Sequence, residues 1–212
     1  MKRGRRWFRR LLYIDVKKLA ATGLVVTLAV LGGTGIAYRN LMASKVDPAV
    51  YTPLLDTIAK GESNGNYNAY FGNASNTTLL FTEMTVDEVM KWQEEYIKQG
   101  SPSSAVGKYQ IISTTLKGLV KELDIDTAER FDKTMQDRMA VALLERRGAE
   151  DYVEKKLSRQ EFAANLAKEW AALPKITGPN PEQSYYAGDG LNKVRISIPE
   201  VYTALAAIDR RI

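Results

Sequence analysis

Gly61-Glu62-Ser63-Asn64-Gly65-Asn66-Tyr67 stands where an amphipathic pattern gives way to small and polar residues. Just upstream, Thr52-Pro53 reads as an N-cap followed by proline at the first helical position. Leu54, Leu55, Ile58 and Ala59 then mark one apolar helix face, and Gly61 supplies a helix-end signal. Glu62 is thereby expected at or just past a helix terminus, a position from which a carboxyl projects into a cleft. Residues 63–80 are rich in Asn, Gly, Ser and Thr, with Tyr67, Tyr70 and Phe71 interleaved. This composition predicts a loop or short hairpin that forms one wall of a groove.

Further along, Thr85 with Glu88 is a capping box ahead of Val89, Trp92, Gln93 and Tyr96, which predicts a helix over 86–98. Ala105-Val106-Gly107-Lys108-Tyr109-Gln110-Ile111 is a glycine turn that delivers an aromatic ring and an amide together. Helices follow over about 113–123 and 133–147, the latter with Met135, Met139 and Leu143 at four-residue spacing and Gly148 closing it. Ser158 and Glu161 open another, with Phe162, Leu166 and Trp170 on one stripe and Pro174 as its stop, and a last helix lies near 199–209. The stripe makes Trp170 a core residue. The expected fold is mainly α (α+β in class), a helical domain over 51–212 with a small loop or hairpin insertion.

Composition removes several kinds of chemistry. With no His and no Cys, there is no thiol nucleophile, no Ser-His pair, and no imidazole or thiolate for zinc. Neither a phosphate-binding loop nor a dinucleotide fingerprint is present, so no cofactor or metal is assigned. Hydrophobic residues make up 45% of the chain, which argues for a folded domain rather than a disordered one. Asp, Glu, Lys and Tyr remain for acid–base work.

The pI near 9.2 suggests nucleic acid until the charge is located. Residues 1–18 hold eight basic side chains against Asp15, a net of +7, which leaves −2 of the whole chain's +5 for residues 19–212. The basic character belongs to the tail, and nucleic-acid binding by the folded domain loses its support. Leu19 to Tyr38 then runs for twenty residues without a charge, long enough to cross a hydrocarbon core of about 30 Å as a helix. Basic residues before it place the N-terminus in the cytoplasm and the domain outside, with residues 39–50 as linker. A cleaved signal peptide has the same general form, but the run is long and no clear small-x-small site precedes a polar start. Gly23, Gly32, Gly33 and Gly35 make the run only weakly hydrophobic, which fits either helix packing in the membrane or slow escape from it.

Glu62, beside glycine and several tyrosines, suits a carboxyl kept protonated near neutral pH by partial burial. Such an acid can protonate the leaving oxygen of a glycosidic bond. Glu88 and Glu161 are explained as capping-box members, and Glu94, Glu95, Glu122 and Glu145 as solvated helix positions. A two-carboxylate mechanism needs a second acid. Asp189, in Ser184-Tyr185-Tyr186-Ala187-Gly188-Asp189-Gly190, is the candidate, although Gly-Asp-Gly also marks simple tight turns. With one acid, the substrate must supply the nucleophile. N-acetylmuramic acid can do so through its own C6 hydroxyl, giving a 1,6-anhydro sugar.

Glu62-Ser63, Gly107-Lys108-Tyr109-Gln110 and Tyr185-Tyr186-Ala187-Gly188, in that order, resemble the signature blocks of lysozyme-like lytic transglycosylases. Ser104 to Gln110, then Gln136-Asp137, Arg147-Gly148-Ala149 and Glu169-Trp170-Ala171-Ala172-Leu173-Pro174, are similar to the bacteriophage lambda endolysin family. The resemblance covers roughly residues 51–195. It implies a lysozyme-like fold that cuts the MurNAc–GlcNAc bond of peptidoglycan, with Glu62 as acid and base. It also implies Ser63, Tyr109, Gln110, Tyr185 and Tyr186 as substrate-binding residues. The N-terminal run departs from the lambda pattern and resembles the anchor of signal-arrest-release endolysins, which implies an inner-membrane tether with the catalytic domain in the periplasm. A water-using muramidase with Asp189 as partner, and a non-catalytic peptidoglycan-binding assembly factor, are the alternatives.

Overall fold

The structure, a computed structural model, describes residues 46–212; the basic tail, the apolar run Leu19–Tyr38 and most of the linker lie outside the described residues. Among the described residues, no helix is long and apolar enough to cross a membrane.

A 3-10 turn, Pro48–Tyr51, leads into α1, Thr52–Ser63. Thr52 does not cap this helix as expected. Its hydroxyl donates back to the Ala49 carbonyl at 2.9 Å, and Tyr51 holds the cap position without a side-chain capping bond. Pro53 starts the helix as its spacing predicts, and Leu54, Leu55, Ile58 and Ala59 are all buried. Gly61 is not the terminus. The left-handed cap is Asn64, at φ 54°, whose N–H bonds the Ala59 carbonyl. Gly61 lies inside the helix because a Cβ there would come within 2.8 Å of Ile196 Cγ1 and 2.9 Å of Ala172 Cβ. The helix needs a bare face at Gly61, and it therefore carries Glu62 in its last turn.

The segment between α1 and α2 (Val86–Lys98) is tied by side chains rather than by a strand ladder. Asn76 Nδ2 donates to the carbonyls of Asn68 and Leu79, and Asn66 Nδ2 to those of Ala74 and Asn76. Only isolated bridges occur here, Tyr70–Asn73 and Tyr70–Val106, so of the expected loop or short hairpin it is the loop that forms among the described residues. Aromatic packing docks the loop onto α2. Tyr70 meets the Trp92 ring edge-on at 5.4 Å, Trp92 stacks on Tyr96 at 4.6 Å, and the Tyr96 hydroxyl donates to the Phe71 carbonyl.

α2 begins with the expected Thr85–Glu88 capping box. α3 (Ser113–Leu123) and α4 (Lys133–Arg146) follow where the apolar spacing places them, α4 capped by Asp132. A short α5, Ala149–Val153, was not expected; Gly148 at φ 95° turns the chain into it. α6 has its Ser158–Glu161 box but stops at Leu166, shorter than the stripe to Trp170 implied. Trp170 is nevertheless core, 3% exposed, held in the following turn by its N–H to the Leu166 carbonyl. α7, Ile198–Asp209, packs along α1 and closes the core. The described part is thus mainly helical, with seven α-helices and no strands.

Candidate active site

Glu62 opens onto a cleft of about 650 Å³. One wall is the loop around Phe71–Ala74; the floor includes Tyr109, Gln110 and Ile111; the far wall is formed by residues 168–172 and 191–195. Because α1 runs to Ser63, the Glu62 side chain leaves from a rigid last turn rather than from a mobile loop. It keeps some solvent access along the cleft while the rest of its surroundings are packed protein.

One hydrogen bond reaches its carboxyl: the Ala172 N–H donates to Oε1 at 3.0 Å. Burial penalises the ionised form and pushes the Glu62 pKa up to about 7. The Ala172 N–H and the charge of Arg195 oppose that rise without cancelling it. The environment therefore supplies a carboxyl that is still about half protonated at neutral pH and faces open space, the requirement for a general acid.

Ala172 is itself fixed from both sides. Its carbonyl accepts the N–H groups of Arg195 (2.9 Å) and Ile196 (3.2 Å). Arg147, just past α4, donates to Glu169 Oε2 at 2.8 Å and to the Lys168 carbonyl at 3.3 Å, which holds the start of the same turn. The position of Glu62 thus depends on α1, α4 and the segment leading into α7 together.

The residues expected beside Glu62 divide into two groups. Gln110 lines the cleft at φ 49°, its Nε2 donating to the Gly107 carbonyl at 3.0 Å. Tyr109 also touches the cleft, but it is 2% exposed and its hydroxyl donates to Asp137 at 2.6 Å. Burial and Asp137 raise its pKa. Tyr186 lines the opposite wall, 39% exposed, with its hydroxyl on the Lys168 carbonyl at 2.7 Å.

Ser63 and Tyr185 do not line the cleft. Ser63 is 1% exposed and its hydroxyl donates to the Lys108 carbonyl at 2.7 Å, so it clips the glycine turn to α1. Tyr185 is an exposed ring packed edge-on against Tyr186 at 5.4 Å. Asp189 is also absent from the lining. Its carboxylate accepts the N–H groups of Leu191 (2.8 Å) and Asn192 (2.9 Å), and these bonds lower its pKa. It builds its own turn, the simpler meaning of Gly-Asp-Gly.

Sequence reasoning did not single out Glu169, the other carboxylate lining the cleft, nor Arg147, Lys193 and Arg195 there. Arg147 and Glu169 fall inside stretches quoted for the family resemblance, so a signal existed; nothing in their spacing announced the ion pair.

No curated relative and no solved structure matches the chain. A protein-family model described as Endolysin does match, over residues 52–194, a span that contains Glu62 and every residue lining the cleft except Arg195. The chain therefore belongs to the endolysin family, phage proteins that degrade the bacterial cell wall.

Proposed function

We propose that the domain cleaves the MurNAc–GlcNAc bond of peptidoglycan as a lytic transglycosylase, with Glu62 as both acid and base. The observation that carries this reading is a single carboxyl with a pKa near 7 on the floor of the cleft. Protonated, it delivers its proton to the glycosidic oxygen. Ionised by that step, it takes the proton of the muramyl C6 hydroxyl as this attacks the anomeric carbon, and a 1,6-anhydro end results. Tyr109, Gln110 and Tyr186 bound the sugar site.

Among the described residues, the only other carboxylate lining the cleft is Glu169, and it is committed to Arg147 at 2.7 Å. Asp189 is turned into its own loop. This leaves no free second carboxylate to activate water, which favours the substrate's own hydroxyl over hydrolysis and disfavours Asp189 as a partner. Mass spectrometry of the fragments from digested sacculi tests the point. Anhydro ends support the reading; ends heavier by one water overturn it.

The uncharged run Leu19–Tyr38 behind a basic tail supports an inner-membrane tether, N-terminus in the cytoplasm and cleft in the periplasm. Its glycines support slow release from the bilayer. Fractionation during lysis should move intact protein from membrane to periplasm; protein that stays membrane-bound throughout would contradict release.

A further inference from the structure

The glycan of peptidoglycan is uncharged once the lactyl group is amide-linked to the stem peptide. Sugar hydroxyls and acetamides are served by neutral donors and acceptors, which the cleft has in Gln110, Asn73 and Ser103. Yet its lining also carries Arg147, Lys168, Lys193 and Arg195. Two of these have partners. Arg147 is paired with Glu169, and the Lys168 ammonium donates to Asn165 at 3.2 Å. Lys193 and Arg195 have no carboxylate within ion-pair reach among the described residues. Both are exposed to the cleft, two residues apart on one short segment.

Unpaired like charges on one wall of a cleft repel each other and focus a positive field into it. An anion entering there relieves the repulsion. The segment cannot swing its charges away freely, because the Arg195 N–H is bonded to the Ala172 carbonyl and Ile196 is fully buried. Ala172 is the residue that holds Glu62, so the positive wall begins next to the reacting bond.

We infer that Lys193 and Arg195 form a subsite for the carboxylates of the peptide stem, so that the enzyme selects glycan bearing anionic stems over bare strands. This rests on the proposed glycan cleavage and names which peptidoglycan the cleft prefers. Stem carboxylates are the anions covalently attached to the muramyl unit, and the muramyl unit must lie at Glu62 for its C6 hydroxyl to react. The stem then projects from the sugar whose bond breaks.

The test uses the full chain and two soluble substrates made from the same sacculi, one stem-bearing and one stripped of stems by an amidase. The parent should show the higher kcat/KM on stem-bearing strands. Lys193→Gln should reduce that preference about fivefold to tenfold, mainly through KM, the worth of one charge-assisted contact at a partly solvated site. Lys193→Glu should reduce it further, and Lys193→Arg should retain it. Lys193 is exposed, and equal melting temperatures would set folding aside. A preference that is the same in the parent, Lys193→Gln and Lys193→Glu overturns the subsite while leaving glycan cleavage standing. A parent inactive on both substrates overturns both.

Discussion

Replacing Glu62 with Gln should stabilise the protein above neutral pH while removing its chemistry. The reason is the cost of ionising a carboxyl in packed surroundings. In the unfolded chain Glu62 ionises near the ordinary value of 4.5, whereas in the fold it does so near 7. Between those two values the folded state holds a proton that the unfolded state has released, so stability falls as pH rises through this window and levels off above it. At about 1.4 kcal/mol per pH unit, and allowing for the water that reaches the cleft side, the loss is about 2–3 kcal/mol. An amide has no such penalty, and its oxygen can still accept the Ala172 N–H. Urea unfolding followed by far-UV circular dichroism at pH 4.5, 6, 7 and 8.5 measures it for both proteins. The two should be nearly equal at pH 4.5, with Glu62→Gln ahead by about 2–3 kcal/mol at pH 8.5. Other titrating groups are common to both and cancel. Curves that run parallel across the range would refute the claim that burial keeps this carboxyl protonated.

Gly61→Ala should destabilise by about 1–3 kcal/mol, since its Cβ would meet Ile196 and Ala172 at 2.8 and 2.9 Å. By pushing Ala172 from Glu62 it should also raise the Glu62 pKa, moving the alkaline limb of the pH–rate profile upward; thermal unfolding and pH-dependent clearing check the two effects. Gln136→Leu should cost at least about 3 kcal/mol by calorimetry. It would strip partners from the Lys108 N–H and the carbonyls of Tyr67 and Phe131, all held by one fully buried amide.

Local signals carried much of the helical layout. The boxes at Thr85–Glu88 and Ser158–Glu161, and the four-residue spacing in α4, act within one or two turns and can be read without knowing the tertiary contacts. Failures arose where tertiary packing overrode a local cue. Gly61 looked like a helix end because glycine often is one; here its missing Cβ admits Ala172 and Ile196, and Asn64 takes the left-handed cap. Trp170 looked helical because its burial continues a stripe, yet the chain leaves the helix at Leu166 to bring the Ala172 N–H under Glu62. Residues 63–80 left open a loop or a short hairpin, because turn residues do not decide between them; asparagine amides that satisfy the backbone in place of a ladder make it a loop.

The site was legible in the same uneven way. Glu62 stood out because small and polar neighbours surround a lone acid, and it lines the cleft. Ser63, next in sequence, points into the body of the protein, since adjacent helical residues face about 100° apart. Glu169 and Arg147 are twenty-two positions apart in the chain and meet only through folding, so no spacing rule could pair them.

The most direct test is sacculus clearing at pH 6, where the Glu62 carboxyl is still mostly protonated, by the parent and Glu62→Gln at equal concentration. Loss of the proton donor with the fold intact should lower the rate by about 10²–10⁴-fold. Clearing by Glu62→Gln within a few-fold of the parent would mean that another group breaks the bond.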